Sequence, residues 1–307
     1  MTPFPVAEIR SVHLGTPDLA KSEAFYTGVW GLKVQDRANG IVFLRASGRD
    51  HHVLALSAHP SSEVLSVTFR VASLDDLQHL STSAQKADAT LLRPAAPNPA
   101  PDGGTVLKLR TPEGYILRLI HGDTRLNTAA AAPNLPHRLS HVNLNCANID
   151  ATTKFFQQAL GFCLTDRSKM MAFLRCNSDH HAVVLADSGL NGMNHIAFMM
   201  PDIESVMRGS GRMIDHGFPI GWGVGRHGPG DNVFAYFIDP TGFVIEYTTE
   251  VLQVDDTYKV GSPSDWVWPP GRTDHWGIAP PKPDAVKHAQ LAIPFASIAE
   301  ALPGKPA

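Results

Sequence analysis

The sequence predicts an α+β protein of two tandem domains, each built from two βαβββ modules that form an incomplete barrel around a cavity. Three observations lead there. Short apolar stretches with strand-like alternation recur along the chain, and one amphipathic helical segment accompanies each group of them. The first half of the chain also lines up with the second.

Taken in order, SVHLGTPDLAKSEAFYTGVWGLKV, beginning at Ser11, matches HVNLNCANIDATTKFFQQALGFCL, beginning at His141. Each reads as a strand, a turn opening with Pro-Asp or Asn-Ile-Asp, an amphipathic helix and a Gly-hydrophobic exit. DHHVLAL from Asp50 echoes DHHAVVL from Asp179, and LSVTFRVASLDDL echoes NHIAFMMPDIESV. VLKLRTPEGYILRLI and VFAYFIDPTGFVIEY are hairpins that turn at Pro-Glu-Gly and Pro-Thr-Gly. The four units fall at about residues 7–57, 64–121, 137–187 and 193–250. One domain is expected over 1–123 and a second over 139–254, joined by an Ala- and Pro-rich linker at 124–138. From 255 to 307 regular patterning stops, and a Pro-rich tail is expected to wrap the body as a candidate lid.

With 307 residues the chain is long enough for two cores. A formal net charge of −3 leaves no electrostatic footprint for nucleic acid or an anionic membrane surface. No apolar run approaches the length of a membrane span, and MTPFPVAEIR lacks the regions of a signal peptide. Cys146, Cys163 and Cys176 form no metal-spaced cluster and are an odd number, which points to a reducing cytoplasm.

Three ionisable residues interrupt the apolar strands of the second half: His141, His195 and Glu246. Two imidazoles and a carboxylate are the ligand set of a facial triad, which leaves open positions on non-haem Fe(II). Mn(II) accepts the same donors. The repeat is an internal control, because the matching residues of the first half are Ser11, Ser66 and Arg118. The scaffold occurs once with the triad and once without it, so folding does not require these ligands.

With those motifs in hand, the chain resembles the type I extradiol ring-cleaving dioxygenases of the vicinal oxygen chelate superfamily. The likeness is carried by His141-Val-Asn, Asp179-His-His, Asn194-His, GRHGPGDNVFAYFIDPTGFVIEY and the tail motif RTDHWG at 272–277. The tail motif is most similar to the homoprotocatechuate 2,3-dioxygenase branch. The resemblance implies meta cleavage of a catechol by O2 at Fe(II), and a homo-oligomer, with a tetramer the expected form. It assigns His181 the acid/base role, His227 and Tyr236 the substrate oxygens, and Asn143 the O2 side. A histidine suits proton exchange near neutral pH.

The arginines with which that branch holds a carboxylate are replaced by Trp222 and Thr273, while Arg272 remains as a candidate pocket residue. Without the paired guanidinium groups, bidentate carboxylate recognition is lost, so a catechol lacking a carboxylate is expected. His180 faces away from His181 along a strand and reads as structural. Two other classes share this scaffold: glyoxalase-like metalloenzymes and metal-free small-molecule binders. Ser11, Ser66 and Arg118 argue against the first, whose ligands come from both halves, and the intact triad argues against the second.

Overall fold

The computed structural model describes residues 4–127 and 132–297. The middle of the expected linker and the end of the expected tail therefore lie outside the described residues. The first domain runs β1 (Val6–Thr16), α1 (Leu19–Phe25), β2 (Lys33–Ala38), β3 (Ile41–Arg45) and β4 (Leu54–Ala58). It continues with β5 (Glu63–Val71), α2 (Leu74–Lys86), β6 (Thr90–Pro97), β7 (Thr105–Arg110) and β8 (Ile116–His121). The second repeats the plan with β9 (Arg138–Cys146), α3 (Ile149–Leu160), β10 (Cys163–Arg167), β11 (Met171–Arg175) and β12 (Val183–Asp187). Then come β13 (Gly192–Met199), α4 (Ile203–Asp215), β14 (Trp222–Arg226), β15 (Val233–Ile238) and β16 (Val244–Thr249). Each domain is thus two βαβββ modules.

Each set of eight strands forms one mixed sheet, ordered 2-3-4-1-5-8-7-6 and 10-11-12-9-13-16-15-14. The curled sheets are open, so each barrel is incomplete, with its helices outside. The opening motifs act as helix caps. Asp18 accepts from the Lys21 N–H at 2.9 Å, and Asn148 accepts from the Ala151 N–H at 3.0 Å. Gly161 ends α3 in the left-handed conformation, φ 75°, that a glycine adopts without strain.

The domains interlock through aromatic packing. Trp30 stacks on Tyr247 with ring centres 3.7 Å apart, and the Tyr26 hydroxyl donates to Asp239 at 2.8 Å. Asp239 also receives the Thr241 and Phe243 N–H groups, so the Pro-Thr-Gly turn is fixed from both domains.

The C-terminal segment departs from the irregular stretch expected of it. Asp284–Ala292 form a fifth helix, α5, entered through Pro283. Val286 of α5 packs in a small apolar cluster with Trp222, Phe234 and Tyr236. Beyond it, Ile293 bridges to Met193 and Phe295 bridges to Val64, so the segment touches both domains.

Candidate metal centre and cavity

The three ligand candidates sit on neighbouring central strands β9, β13 and β16. Their side chains point to one face, where ligand atoms meet within 4.8 Å of one another. His141 Nε2 lies 3.3 Å from His195 Nε2, and both face Glu246 Oε2, at 3.3 and 3.1 Å. All three are buried, with Glu246 fully so. Strand register accounts for the repeat. Val12 pairs with Leu54 and Val67 as Val142 pairs with Val183 and Ile196. Thr68 likewise faces Arg118 as Ala197 faces Glu246. Ser11, Ser66 and Arg118 therefore occupy the places of His141, His195 and Glu246.

A chain of amides orients the second imidazole. His195 Nδ1 donates to Asn194 Oδ1 at 2.9 Å, whose amide donates to Asn145 Oδ1 at 2.9 Å. Asn145 in turn donates to the Gln290 carbonyl at 2.6 Å. This tautomer leaves the His195 Nε2 lone pair on the cavity, as metal coordination requires. Burial holds the His195 imidazole down at about 4, opposed by Glu246, so it stays neutral at physiological pH. Burial would raise the Glu246 carboxyl, but the neighbouring imidazoles of His141 and His195 hold it well below the usual range. Glu246 Oε2 is buried with no hydrogen-bond partner. An orphaned carboxylate oxygen between two imidazole nitrogens suits a divalent metal, so the donor set can hold one.

His141 and His195 of the triad line a cavity of about 250 Å3. His181 lines it, with its ring centre 4.4 Å from that of His141. Behind it His180 is fully buried; its Nε2 donates to Asp166 at 2.7 Å and its Nδ1 lies 3.0 Å from His181 Nδ1. With His180 donating from Nε2 to Asp166, its Nδ1 can accept from His181 Nδ1–H, which leaves the His181 lone pair at Nε2. Burial, then the neighbouring histidines, push His181 well below its ordinary value. His180 is thus a positioning residue as well as a buried one.

Beside the triad, where the Tyr236 ring centre lies 4.9 Å from that of His195, His227 Nε2 lies 3.1 Å from the Tyr236 hydroxyl, and the His227 ring stacks on Phe234 at 4.0 Å. Tyr236 stands directly across the strands from both Glu246 and Trp222. Burial and the Glu246 charge push the Tyr236 phenol well above its ordinary value. Asn143 also lines the cavity and its buried Oδ1 has no partner. Trp222 is pinned by its Nε1 donating to the Pro280 carbonyl at 3.0 Å.

Arg272 does not join this group. It is exposed and absent from the cavity lining, whereas its neighbour Thr273 lines the wall. The chain turns at Pro269–Arg272, where the Arg272 N–H bonds the Pro269 carbonyl, and Thr273 Oγ1 then donates to the Ala279 carbonyl. That turn sends the guanidinium outward.

The C-terminal segment supplies the lining residues Trp266 and Trp268, in keeping with tail tryptophans expected as packing or lid elements, and also Lys282 and Gln290, which the sequence did not single out. The Lys282 ammonium sits 4.4 Å from the Trp222 ring centre and donates to Gln290 Oε1 at 3.0 Å. Burial lowers it to about 8. A lysine between prolines in an aperiodic stretch gives no sequence signal of this placement.

Two curled eight-stranded sheets, of which one among the described residues carries a His/His/Glu donor set that could hold a metal, define the two-domain vicinal oxygen chelate class. The sequence profile of the Glyoxalase/Bleomycin resistance protein/Dioxygenase superfamily matches residues 8–119 and 138–247, and the chain belongs to that superfamily. The chain is 36% identical over 140 residues to metapyrocatechase 2 of Cupriavidus necator, covering 45% of this chain and 41% of that protein. It is 25% identical over 265 residues to the manganese-dependent 2,3-dihydroxybiphenyl 1,2-dioxygenase of Geobacillus genomosp. 3, covering 76% and 82%. The first of these alignments thus spans about two fifths of its relative, the second about four fifths. Among solved structures, the Mn(II)-bound glyoxalase from Novosphingobium aromaticivorans superposes with a TM-score of 0.86 at 33% identity, covering 92% of this chain and 94% of that one. No helix among the described residues is long and apolar enough to cross a membrane.

Proposed function

We propose that the protein cleaves a catechol ring beside its two hydroxyls, using O2 at a single Fe(II) held by His141, His195 and Glu246, with Mn(II) as the alternative metal. The observation that carries this reading is the convergence of the three ligands beside a cavity that His141 and His195 line. The other walls carry a neutral histidine and a His–Tyr pair. The curated relatives named above are catechol and dihydroxybiphenyl dioxygenases. The assembly proposed is a homo-oligomer, a tetramer, in a cytoplasm reducing enough to keep iron ferrous.

His141, His195 and Glu246 would hold the Fe(II), which would supply the electron transfer from catechol to O2 that ring cleavage requires. The chain's own groups do the rest. His181 receives a substrate proton at Nε2, and the His180–Asp166 pair behind it steadies the resulting imidazolium. Tyr236 and His227 hydrogen-bond the ring oxygen that has lost its proton. Asn143 directs an amide toward the remaining side of the site. The indole of Trp222 and the side chains of Met171 and Phe173 exclude water.

The substrate proposed has no carboxylate. Trp222 and Thr273 present no guanidinium, and the Lys282 ammonium is engaged by Gln290 and the Trp222 face. A second reading, a metal-dependent isomerase, draws on the name given to the Novosphingobium structure. One experiment separates them: anaerobic loading with Fe(II) or Mn(II), then O2 with catechol, 3-methylcatechol, 2,3-dihydroxybiphenyl or homoprotocatechuate. Stoichiometric O2 uptake with a yellow ring-opened product is expected for the neutral catechols. No colour and no uptake across the panel defeats dioxygenase activity. Turnover of homoprotocatechuate far above the others defeats the substrate class alone.

A further inference from the structure

Both domains carry the same pair of adjacent histidines, but a carboxylate closes on the pair in the second domain alone. In the first domain His51 Nδ1 lies 3.1 Å from His52 Nδ1, and the Asp36 carboxylate stands off at 4.0 Å from His51 Nε2. The Asp36 side chain is 42% exposed and accepts from the N–H of Arg37 beside it. Asp166 holds the matching place, since Asp36 pairs with Phe43 as Asp166 pairs with Phe173. There the carboxylate is fully buried, and the distance to His180 Nε2 closes to 2.7 Å.

The C-terminal segment makes the difference. It runs beside β10, where Gly261 bridges to Asp166 and its carbonyl accepts from the Arg167 N–H at 2.9 Å. The Gly261 N–H donates to Asp166 Oδ1 at 2.7 Å, and the Tyr258 hydroxyl donates to Oδ2 at 3.1 Å. Together with His180, three donors converge on one carboxylate. Burial and the Asp166 charge raise the Tyr258 phenol to about 12, so it remains a donor at neutral pH. Nothing larger than hydrogen fits at 261, because a Cβ there would stand 2.5 Å from Asp166 Oδ1 and 2.6 Å from Trp266 Nε1.

We propose that closure of Tyr258 and Gly261 on Asp166 fixes the proton of His181 on Nδ1 and, given the acid/base role proposed above, makes His181 ready to act. Asp166 and Gly261 are then its positioning residues. The carboxylate draws the His180 proton to Nε2, which leaves His180 Nδ1 an acceptor and requires His181 Nδ1 to donate to it. The His181 lone pair is thereby kept at Nε2, the nitrogen that takes a substrate proton. A buried carboxylate behind a histidine selects the working tautomer in this way in hydrolytic triads. At 4.0 Å Asp36 makes no hydrogen bond to His51 and imposes no such direction on the first pair.

Tautomers are read directly by 15N NMR of the histidine-labelled full chain at about pH 8, above the ordinary histidine range near about 6.5. His181 is assigned by its loss in His181→Asn. Wild type is expected to carry the His181 proton on Nδ1 and the His180 proton on Nε2. Asp166→Asn sets an NH2 against a donor, either at His180 Nε2 or at the Gly261 N–H, and should reverse both tautomers or set them exchanging. With them kcat for 3-methylcatechol should fall about a hundredfold to ten-thousandfold, the span of general acid–base catalysis, while KM stays near the wild-type value. Gly261→Ala displaces the carboxylate but keeps its charge, should give the same signature, and serves if Asp166→Asn folds poorly. Asp36→Asn, at the matching place in the first domain, should change neither reading. A His181 proton on Nε2 in the wild type overturns the proposal, as does a wild-type tautomer in both second-domain variants, whatever their activity. Reversed tautomers with unchanged kcat uphold the positioning and remove the acid/base role from His181 instead.

Discussion

Gly230 offers a way to move His181 without changing its chemistry. This glycine has φ +82°, and a Cβ added there would stand 2.8 Å from His181 Cε1 and 2.9 Å from Nδ1. Ordinary contact begins near 3.4 Å, so Gly230→Ala must displace the imidazole by about 0.6 Å or more, or strain the loop. The left-handed backbone adds a stability cost of roughly 1–2 kcal/mol for any residue with a side chain. A misplacement of this size in a reacting group lowers kcat by up to about a hundredfold. The triad lies on β9, β13 and β16 and is untouched, so metal content should be preserved. The assay is kcat for 3-methylcatechol at saturating O2, alongside metal per chain and a thermal melt, with His181→Asn for comparison. Wild-type kcat in a fully metallated His181→Asn protein would show that His181 takes no part in the reaction, and wild-type kcat in Gly230→Ala alone would show that the loop, not the imidazole, gives way. Activity lost in proportion to metal would place the fault at the ligands instead.

Glu246→Gln keeps the shape of the ligand but removes the charge that two imidazoles face within 3.3 Å. Metal affinity, measured by competition with a chromophoric chelator, should fall by more than the roughly 10–100-fold typical of losing a group behind a ligand. Unchanged affinity would rule Glu246 out as a ligand. The metal-free protein should lose stability in mild acid. His195 and His227 are held down at about 4 and about 3 by burial, so the unfolded chain takes up protons first as pH falls below about 6.5. Stability is then complete above that pH and is lost toward pH 4, with His195 alone contributing on the order of 3 kcal/mol. A melting temperature of the chelated protein that stays level from pH 7 to 5 would contradict this.

What the sequence made legible follows from how each feature is encoded. The modules were readable because period-2 strands, Asp18 and Asn148 caps and the Pro-Glu-Gly and Pro-Thr-Gly turns are local signals that occur twice. His141, His195 and Glu246 stood out as ionisable groups inside apolar strands, and the comparison with Ser11, Ser66 and Arg118 sharpened them. The remainder of the cavity depends on contacts between distant segments. Nothing in its own neighbourhood marks Lys282 as a wall residue, Gln290 as the end of the amide chain to His195, or Asp166 as the partner of His180. Arg272 was misplaced for the same reason, since a one-residue choice in a turn decides which side chain faces in. The His-His contact also recurs between His51 and His52, at 3.1 Å, in the domain without the triad. The pair is thus part of the scaffold, and its neighbours give it different work.

The segment from Ile293 to Phe295 has a consequence for the order of assembly. It bridges to β13 through Met193 and to β5 through Val64, two strands on different sheets and far away in sequence. It can dock only after both strands are in place, because neither sheet alone offers both bridge partners. Loop closure over such separations is slow relative to strand and helix formation. Lys282 and Gln290 lie on the same segment, so the cavity wall they provide forms in that late step. A refolding experiment should therefore recover native sheet structure before it recovers an enclosed site.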